Sequence, residues 1–172
     1  MRTGFSKATV GLGIYIVISA AFMLQVRDRL FSLFGGPAVM AVFKTLFVLV
    51  AFYALIYAFR KNPGVSRFVI AAAVLIAAYI FSARQPYFSE KSHVLTYGIL
   101  GYLAARDMAP AKNKIRLKNI AIAAGFICAI SALDEGFQGI LPYRFAETRD
   151  FVTNIISGSM GMAFFSCLPR EL

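Results

Sequence analysis

AVMAVFKTLFVLVAFYALIYAF, residues 38–59, is a run of 22 positions in which Lys44 is the only charge. Wound as a helix at 1.5 Å per residue it measures about 33 Å, enough to cross the hydrocarbon core of a bilayer. Comparable windows lie at 8–26, 66–83, 117–137 and 150–168, and a shorter sixth segment, 90–105, carries polar residues at its start. Gly35-Gly36-Pro37, Asn62-Pro63-Gly64, Gln85-Pro86 and Leu141-Pro142 separate these windows, as helix-breaking residues should. The apolar runs are too long and too free of polar positions to alternate as barrel strands do. The expected fold is all-α, a polytopic transmembrane helical bundle of about six spans forming a single domain over residues 1–172.

Composition agrees. The chain is 59% hydrophobic with a mean hydropathy of +0.71, against roughly 45–50% apolar residues in soluble domains. Window 8–26 exceeds the roughly 7–15-residue apolar core of a signal peptide, so it reads as an uncleaved first span. The net charge of +10 falls between apolar windows with no recognition motif beside it, which excludes nucleic acid as the expected partner and points to positive-inside topology. Eleven Lys and Arg (Arg2, Lys7, Arg60, Lys61, Arg67, Arg106, Lys112, Lys114, Arg116, Lys118, Arg170) fall on one side and six (Arg27, Arg29, Arg84, Lys91, Arg144, Arg149) on the other. Both termini are therefore expected in the cytoplasm, with the basic run 106–118 as an anchor against anionic lipid. Lys44 is expected to snorkel outward or to pair with an acid. Cys128 and Cys167 lack any metal or redox spacing and read as small buried hydrophobes.

Five of the eight acids, Glu90, Asp134, Glu135, Glu147 and Asp150, fall at the opposite, exoplasmic ends of the last three spans. Within 90–97, EKSHVLTY, helical spacing sets Glu90, His93 and Tyr97 on one face. In 134–138, DEGFQ, Asp134 and Gln138 share a face while Glu135 points elsewhere. In 144–154, Asp150 and Asn154 stand four apart at the start of the last span. If these faces converge, His93, Asp134, Glu135 and Asp150 are the candidate catalytic groups. Glu90, Lys91, Tyr97, Gln138, Arg144 and Asn154 are the candidate binding groups. Gly98, Gly101, Gly158 and Gly161 read as close-packing positions.

Those ordered polar residues, Glu90, Lys91, His93, Tyr97, Asp134, Glu135, Gln138, Arg144, Asp150 and Asn154, resemble the pattern of the VanZ-like family of bacterial membrane proteins. The resemblance covers about residues 88–165. Tyr143 stands where that family often has Gly, and Ser157 where a Gly would follow the Asn. The resemblance implies a multi-pass protein of the bacterial cytoplasmic membrane, associated with the cell envelope and with resistance to the glycopeptide teicoplanin, its core at 66–168 and residues 1–65 forming an accessory pair of spans. It implies no particular reaction.

Adjacent carboxylates at 134 and 135 suit general acid and base work if one is protonated and the other ionised, or pairing with Arg144 and Arg149. A divalent cation held with His93 and Asp150 is chemically open, but neither ligand spacing nor count fixes one. Arg144 and Arg149 offer forked donors at the depth of lipid phosphates, so membrane lipids and lipid-linked precursors are the expected partners. No Pro-Ser-Gly-His, HExxH or GxSxG string is present, which leaves the reaction class open. Three functions remain: an enzyme on a lipid-linked envelope molecule, a non-catalytic envelope or drug-binding factor, and a proton-coupled transporter, the last disfavoured because its acids belong near the midplane.

Overall fold

A computed structural model describes residues 4–109 and 117–169. Seven helices account for nearly all of them: α1 Lys7–Ser19, α2 Met23–Phe34, α3 Gly36–Arg60, α4 Val65–Arg84, α5 Phe88–Met108, α6 Leu117–Ile140 and α7 Thr148–Cys167. Five of the six expected windows correspond one to one with α3 to α7. Lys112, Lys114 and Arg116 of the basic run, together with Arg2 and Arg170, lie outside the described residues.

Three helices, α3, α4 and α6, are long and apolar enough to cross a membrane, and a fourth span results if the bent pair α1–α2 is one broken crossing. By helix length and hydropathy the chain is thus a candidate multi-pass membrane protein. Helices α5 and α7 have spanning length, 21 and 20 residues. They fall outside the apolar class because the polar residues described below are concentrated in them.

The window expected as the first span, 8–26, is not one continuous helix. Helix α1 stops at Ser19, and α2 leaves it at 70°. No proline or glycine lies at the break. Instead, the amides of Ala20, Ala21 and Phe22 bond back three residues, tightening the last turn, and Ser19 Oγ donates to the Ile16 carbonyl at 2.8 Å. Tyr143 donates its hydroxyl to the Ala21 carbonyl at 2.7 Å, occupying an acceptor that a continuous helix would have used. At the α2–α3 and α3–α4 joints the chain turns on Gly35 and Gly64, whose φ values of 78° and 80° favour a residue without Cβ.

The middle of the bundle is the α5–α7 pair. One apolar cluster (Ile16, Tyr97, Leu100, Ile127, Ile130) joins α1, α5 and α6 on one side of it. Another (Ala58, Ala71, Phe164, Cys167) joins α3, α4 and α7 on the other. The outward faces are apolar: Val42, Leu46, Leu49, Phe52, Tyr53 and Phe59 of α3 are all exposed, an arrangement that suits lipid rather than water. Lys44 is exposed on the same helix. Of the two cysteines, Cys167 is buried and Cys128 half-buried, and both are free thiols.

Glycines set the α5–α7 separation. A Cβ on Gly101 would lie 2.0 Å from the Gly158 carbonyl oxygen, and one on Gly161 would lie 1.9 Å from the Gly98 carbonyl oxygen. Backbone cannot yield as a flexible side chain does, so Gly101→Ala or Gly161→Ala forces the helices apart. Each is expected to destabilise the bundle by about 3 kcal/mol or more. Gly125→Ala and Gly136→Ala, whose new methyl groups meet nothing within 4 Å, are expected to be neutral or slightly stabilising. Thermal melts of the detergent-solubilised protein, followed by circular dichroism, separate the two pairs.

Candidate functional site

Close approach of α5 and α7, with α6 packed against both, brings the start of α5, the end of α6 and the start of α7 to one end of the bundle. Three polar faces meet there. Tyr97, fully buried on α5, donates its hydroxyl to Asp134 Oδ2 on α6 at 3.0 Å. Gln138, one turn beyond Asp134, donates Nε2–H to Asp134 Oδ1 at 3.0 Å, and Arg144 donates to Gln138 Oε1 at 2.8 Å. On the α7 side, His93 Nδ1 lies 2.9 Å from Asn154 Oδ1, and Asn154 Nδ2 donates to Ser131 Oγ at 3.1 Å. With the amide turned this way, Asn154 offers only an acceptor to the imidazole. His93 Nδ1 therefore donates to it, and Nε2 is the nitrogen on the other edge of the ring.

Glu135 joins the cluster while pointing away from the face that Asp134 and Gln138 share, as its spacing predicts. Neighbouring residues on a helix diverge by about 100°. Because α6 is covered by α5 on one flank and by the α6–α7 connection on the other, both directions are interior. Asp134 faces Tyr97, while Glu135 Oε2 accepts the backbone N–H of Glu147 at 3.0 Å; both acids are buried. One donor atom from each of His93, Asp134 and Glu135 lies within 4.8 Å of the others. Asp150 is not in that group. It belongs to a second trio with Glu90 and Glu147, again within 4.8 Å, beside Arg149. Arg149 pairs with Glu90, lies 3.3 Å from Glu147, and stands over the Tyr87 ring.

Lys91 is turned away. Its ammonium donates to the carbonyls of Ser82, Ala83 and Gln85, the unsatisfied acceptors at the end of α4. It fastens α4 to α5 instead of reaching the cluster.

Four buried polar atoms have no hydrogen-bond partner among the described residues: Glu90 Oε2, Glu135 Oε1, Asp150 Oδ1 and Arg144 Nε. Such atoms are rare in folded proteins because each forfeits hydration without replacement. Three of the four belong to carboxylates. The fourth, Arg144, lines a cavity of about 80 Å³, with His93 and Asp134 on the same wall and Ile16, Ser19 and Arg27 of the α1–α2 elbow on the other. The first helices, expected as an accessory pair, thus build half of the cavity.

Two features escaped the sequence. Ser131 lies one turn before Asp134 on α6, where a single serine among small apolar residues carries no signal of its own. Asp107, buried at the far end of α5, accepts the Ser6 backbone N–H at 2.7 Å and the Thr9 hydroxyl, and pairs with Arg106 at 2.9 Å. It caps α1 from another helix. No family model, curated protein or solved structure matches the chain.

Asn154→Leu strands the His93 Nδ1–H and removes the donor to Ser131, an expected loss of about 1–3 kcal/mol for each buried group left unpaired. Glu147→Gln keeps the main-chain donor to Glu135 and touches only a half-exposed ion pair, so about 0.5 kcal/mol or less is expected. Denaturant titration in mixed micelles measures both.

Proposed function

We propose that the chain is a six-span, VanZ-like protein of the bacterial cytoplasmic membrane with both termini in the cytoplasm. Its polar site, on the exoplasmic side, binds or acts on the phosphate-bearing headgroup of a cell-envelope lipid or lipid-linked precursor. In this reading α1 and the elbow complete the first crossing, α5 and α7 cross despite their polar ends, and α2, with Arg27, Asp28 and Arg29, lies near the headgroups. The ten ordered polar positions support membership of the VanZ-like family.

One observation carries the headgroup reading: Arg144 lines the cavity with a buried, unpartnered Nε–H while its Nη2 is held by Gln138. A guanidinium oriented at one donor and free at another is prepared for an oxyanion, the acceptor it pairs with most strongly. His93 and Asp134 line the same cavity. In an enzyme, Nε2 of His93 would take or deliver a proton at the bound headgroup. A non-catalytic envelope or drug-binding factor is the second reading, favoured by the hydrogen bonds from Tyr97 and Gln138 that already engage both oxygens of Asp134. Transport is set aside because Asp134 lies near the end of α6 rather than at its middle.

Binding of dioctanoyl phosphatidic acid to the full chain in nanodiscs tests the reading. Arg144→Gln is expected to weaken binding at least tenfold, and Lys91→Met to leave it within twofold. Undiminished binding by Arg144→Gln overturns it. His93→Asn and Glu135→Gln sort the two forms: retained affinity with lost glycopeptide protection in cells indicates catalysis, and parallel loss indicates a binder.

A further inference from the structure

We infer that His93, Asp134 and Glu135 form a binding site for one divalent transition-metal cation of the zinc or manganese class. The inference rests on the preceding reading only in treating this end of the bundle as the working site.

The donor set comes first. An imidazole nitrogen and two carboxylate oxygens lie within 4.8 Å of one another. Bond lengths of about 2.0–2.2 Å to a shared ion would draw them together by roughly 1 Å, a movement side-chain rotation supplies. The second, independent observation is Glu135 Oε1, a buried carboxylate oxygen without a partner while Oε2 is held by the Glu147 amide. Charge adds a third. Among the described residues no Lys or Arg lies within ion-pair distance of Asp134 or Glu135, since Arg144 engages Gln138 and Arg149 engages Glu90 and Glu147. Buried carboxylates are ordinarily paired with a cation or bound to a metal.

Each proposed ligand is also oriented from behind. Asn154 holds His93 through Nδ1 and leaves Nε2 for coordination, Tyr97 and Gln138 fix Asp134, and the Glu147 N–H fixes Glu135. Metal-binding imidazoles characteristically donate their other nitrogen in this way. The adjoining 80 Å³ holds two or three waters at about 30 Å³ each, enough to complete a coordination shell. One nitrogen with two carboxylates suits zinc or manganese better than calcium or magnesium, which favour all-oxygen shells. The neighbouring trio of Glu90, Glu147 and Asp150 is the poorer site. It offers no nitrogen, Arg149 already neutralises Glu90, and Glu147 is exposed. A cation on the first trio would stand beside Arg144, where a phosphate oxygen can bridge the two.

Isothermal titration of the chelator-treated full chain in dodecyl maltoside, with ZnCl2, MnCl2 and MgCl2 in phosphate-free buffer, tests the site. One equivalent of zinc or manganese is expected, at least tenfold tighter than magnesium. His93→Ala and Glu135→Gln should each weaken it at least tenfold, and Asp150→Asn by less than threefold. Glu135→Gln retains an acceptor for the Glu147 amide, and a melt confirms folding if His93→Ala does not survive purification. Absence of saturable zinc or manganese binding overturns the inference, as does binding indifferent to Glu135→Gln or abolished by Asp150→Asn alone. With no lipid phosphate in the titration, its outcome is independent of the headgroup assay.

Discussion

Everything at the polar end depends on how closely two backbones approach. The α5 and α7 helices meet through Gly98, Gly101, Gly158 and Gly161, with main-chain atoms where side chains would ordinarily stand. In a bilayer, helices gain little from excluding apolar surface, because lipid tails solvate that surface as well as protein does. Van der Waals contact and buried hydrogen bonds must hold the pair, and both weaken sharply with separation. A shift of an ångström where Gly101 meets Gly158 would be carried along rigid helices to His93, two turns nearer the site, and to Asn154, one turn nearer.

That scaffold lets the protein bury charge. Glu90, Asp134 and Glu135 are all shielded from solvent, yet among the described residues only Glu90 of the three has an ion-pair partner. The cluster is arranged as two adjoining compartments. One, around Arg149, sets that guanidinium against Glu90 and Glu147 and ties the beginnings of α5 and α7 together. The other, around His93 and Asp134, is organised by neutral donors, namely a phenol, two amides and a main-chain N–H, and keeps unspent hydrogen-bonding capacity beside the cavity. Structural polar networks consume their donors and acceptors, whereas sites for ligands leave some open. Open acceptors remain in both compartments, Glu90 Oε2 and Asp150 Oδ1 in one and Glu135 Oε1 in the other, and what sets the second apart is the unpartnered Nε–H of Arg144 at the cavity wall.

Most of the fold was legible because long apolar windows bounded by glycine and proline carry a strong signal; α3 to α7 correspond to windows read directly. The break at Ser19 was not legible. It depends on a hydroxyl from Tyr143, more than a hundred residues away, satisfying a carbonyl that local sequence gives no reason to expose. Site residues were found by helical spacing where one face is buried, as with Tyr97 and Asn154. Spacing misplaced Lys91 because the attraction of helix-end carbonyls for an ammonium group appears only once α4 and α5 are side by side. Arg144 and Arg149 look interchangeable in the sequence, and only packing distinguishes their roles.

The convergence of α5 and α7 at this end can be measured in native membranes without purification. In a background with Cys128 and Cys167 replaced by alanine, cysteines at positions 93 and 154 are treated with a short bis-methanethiosulfonate and the basic 106–118 connection is cut with trypsin. The two halves should remain joined until a reductant is added, while a pair at 93 and 117, at opposite ends of the bundle, should separate at once. Free fragments from the 93–154 pair, under conditions where both cysteines are shown to be reactive, would mean that the polar faces do not meet and that the site described here does not exist.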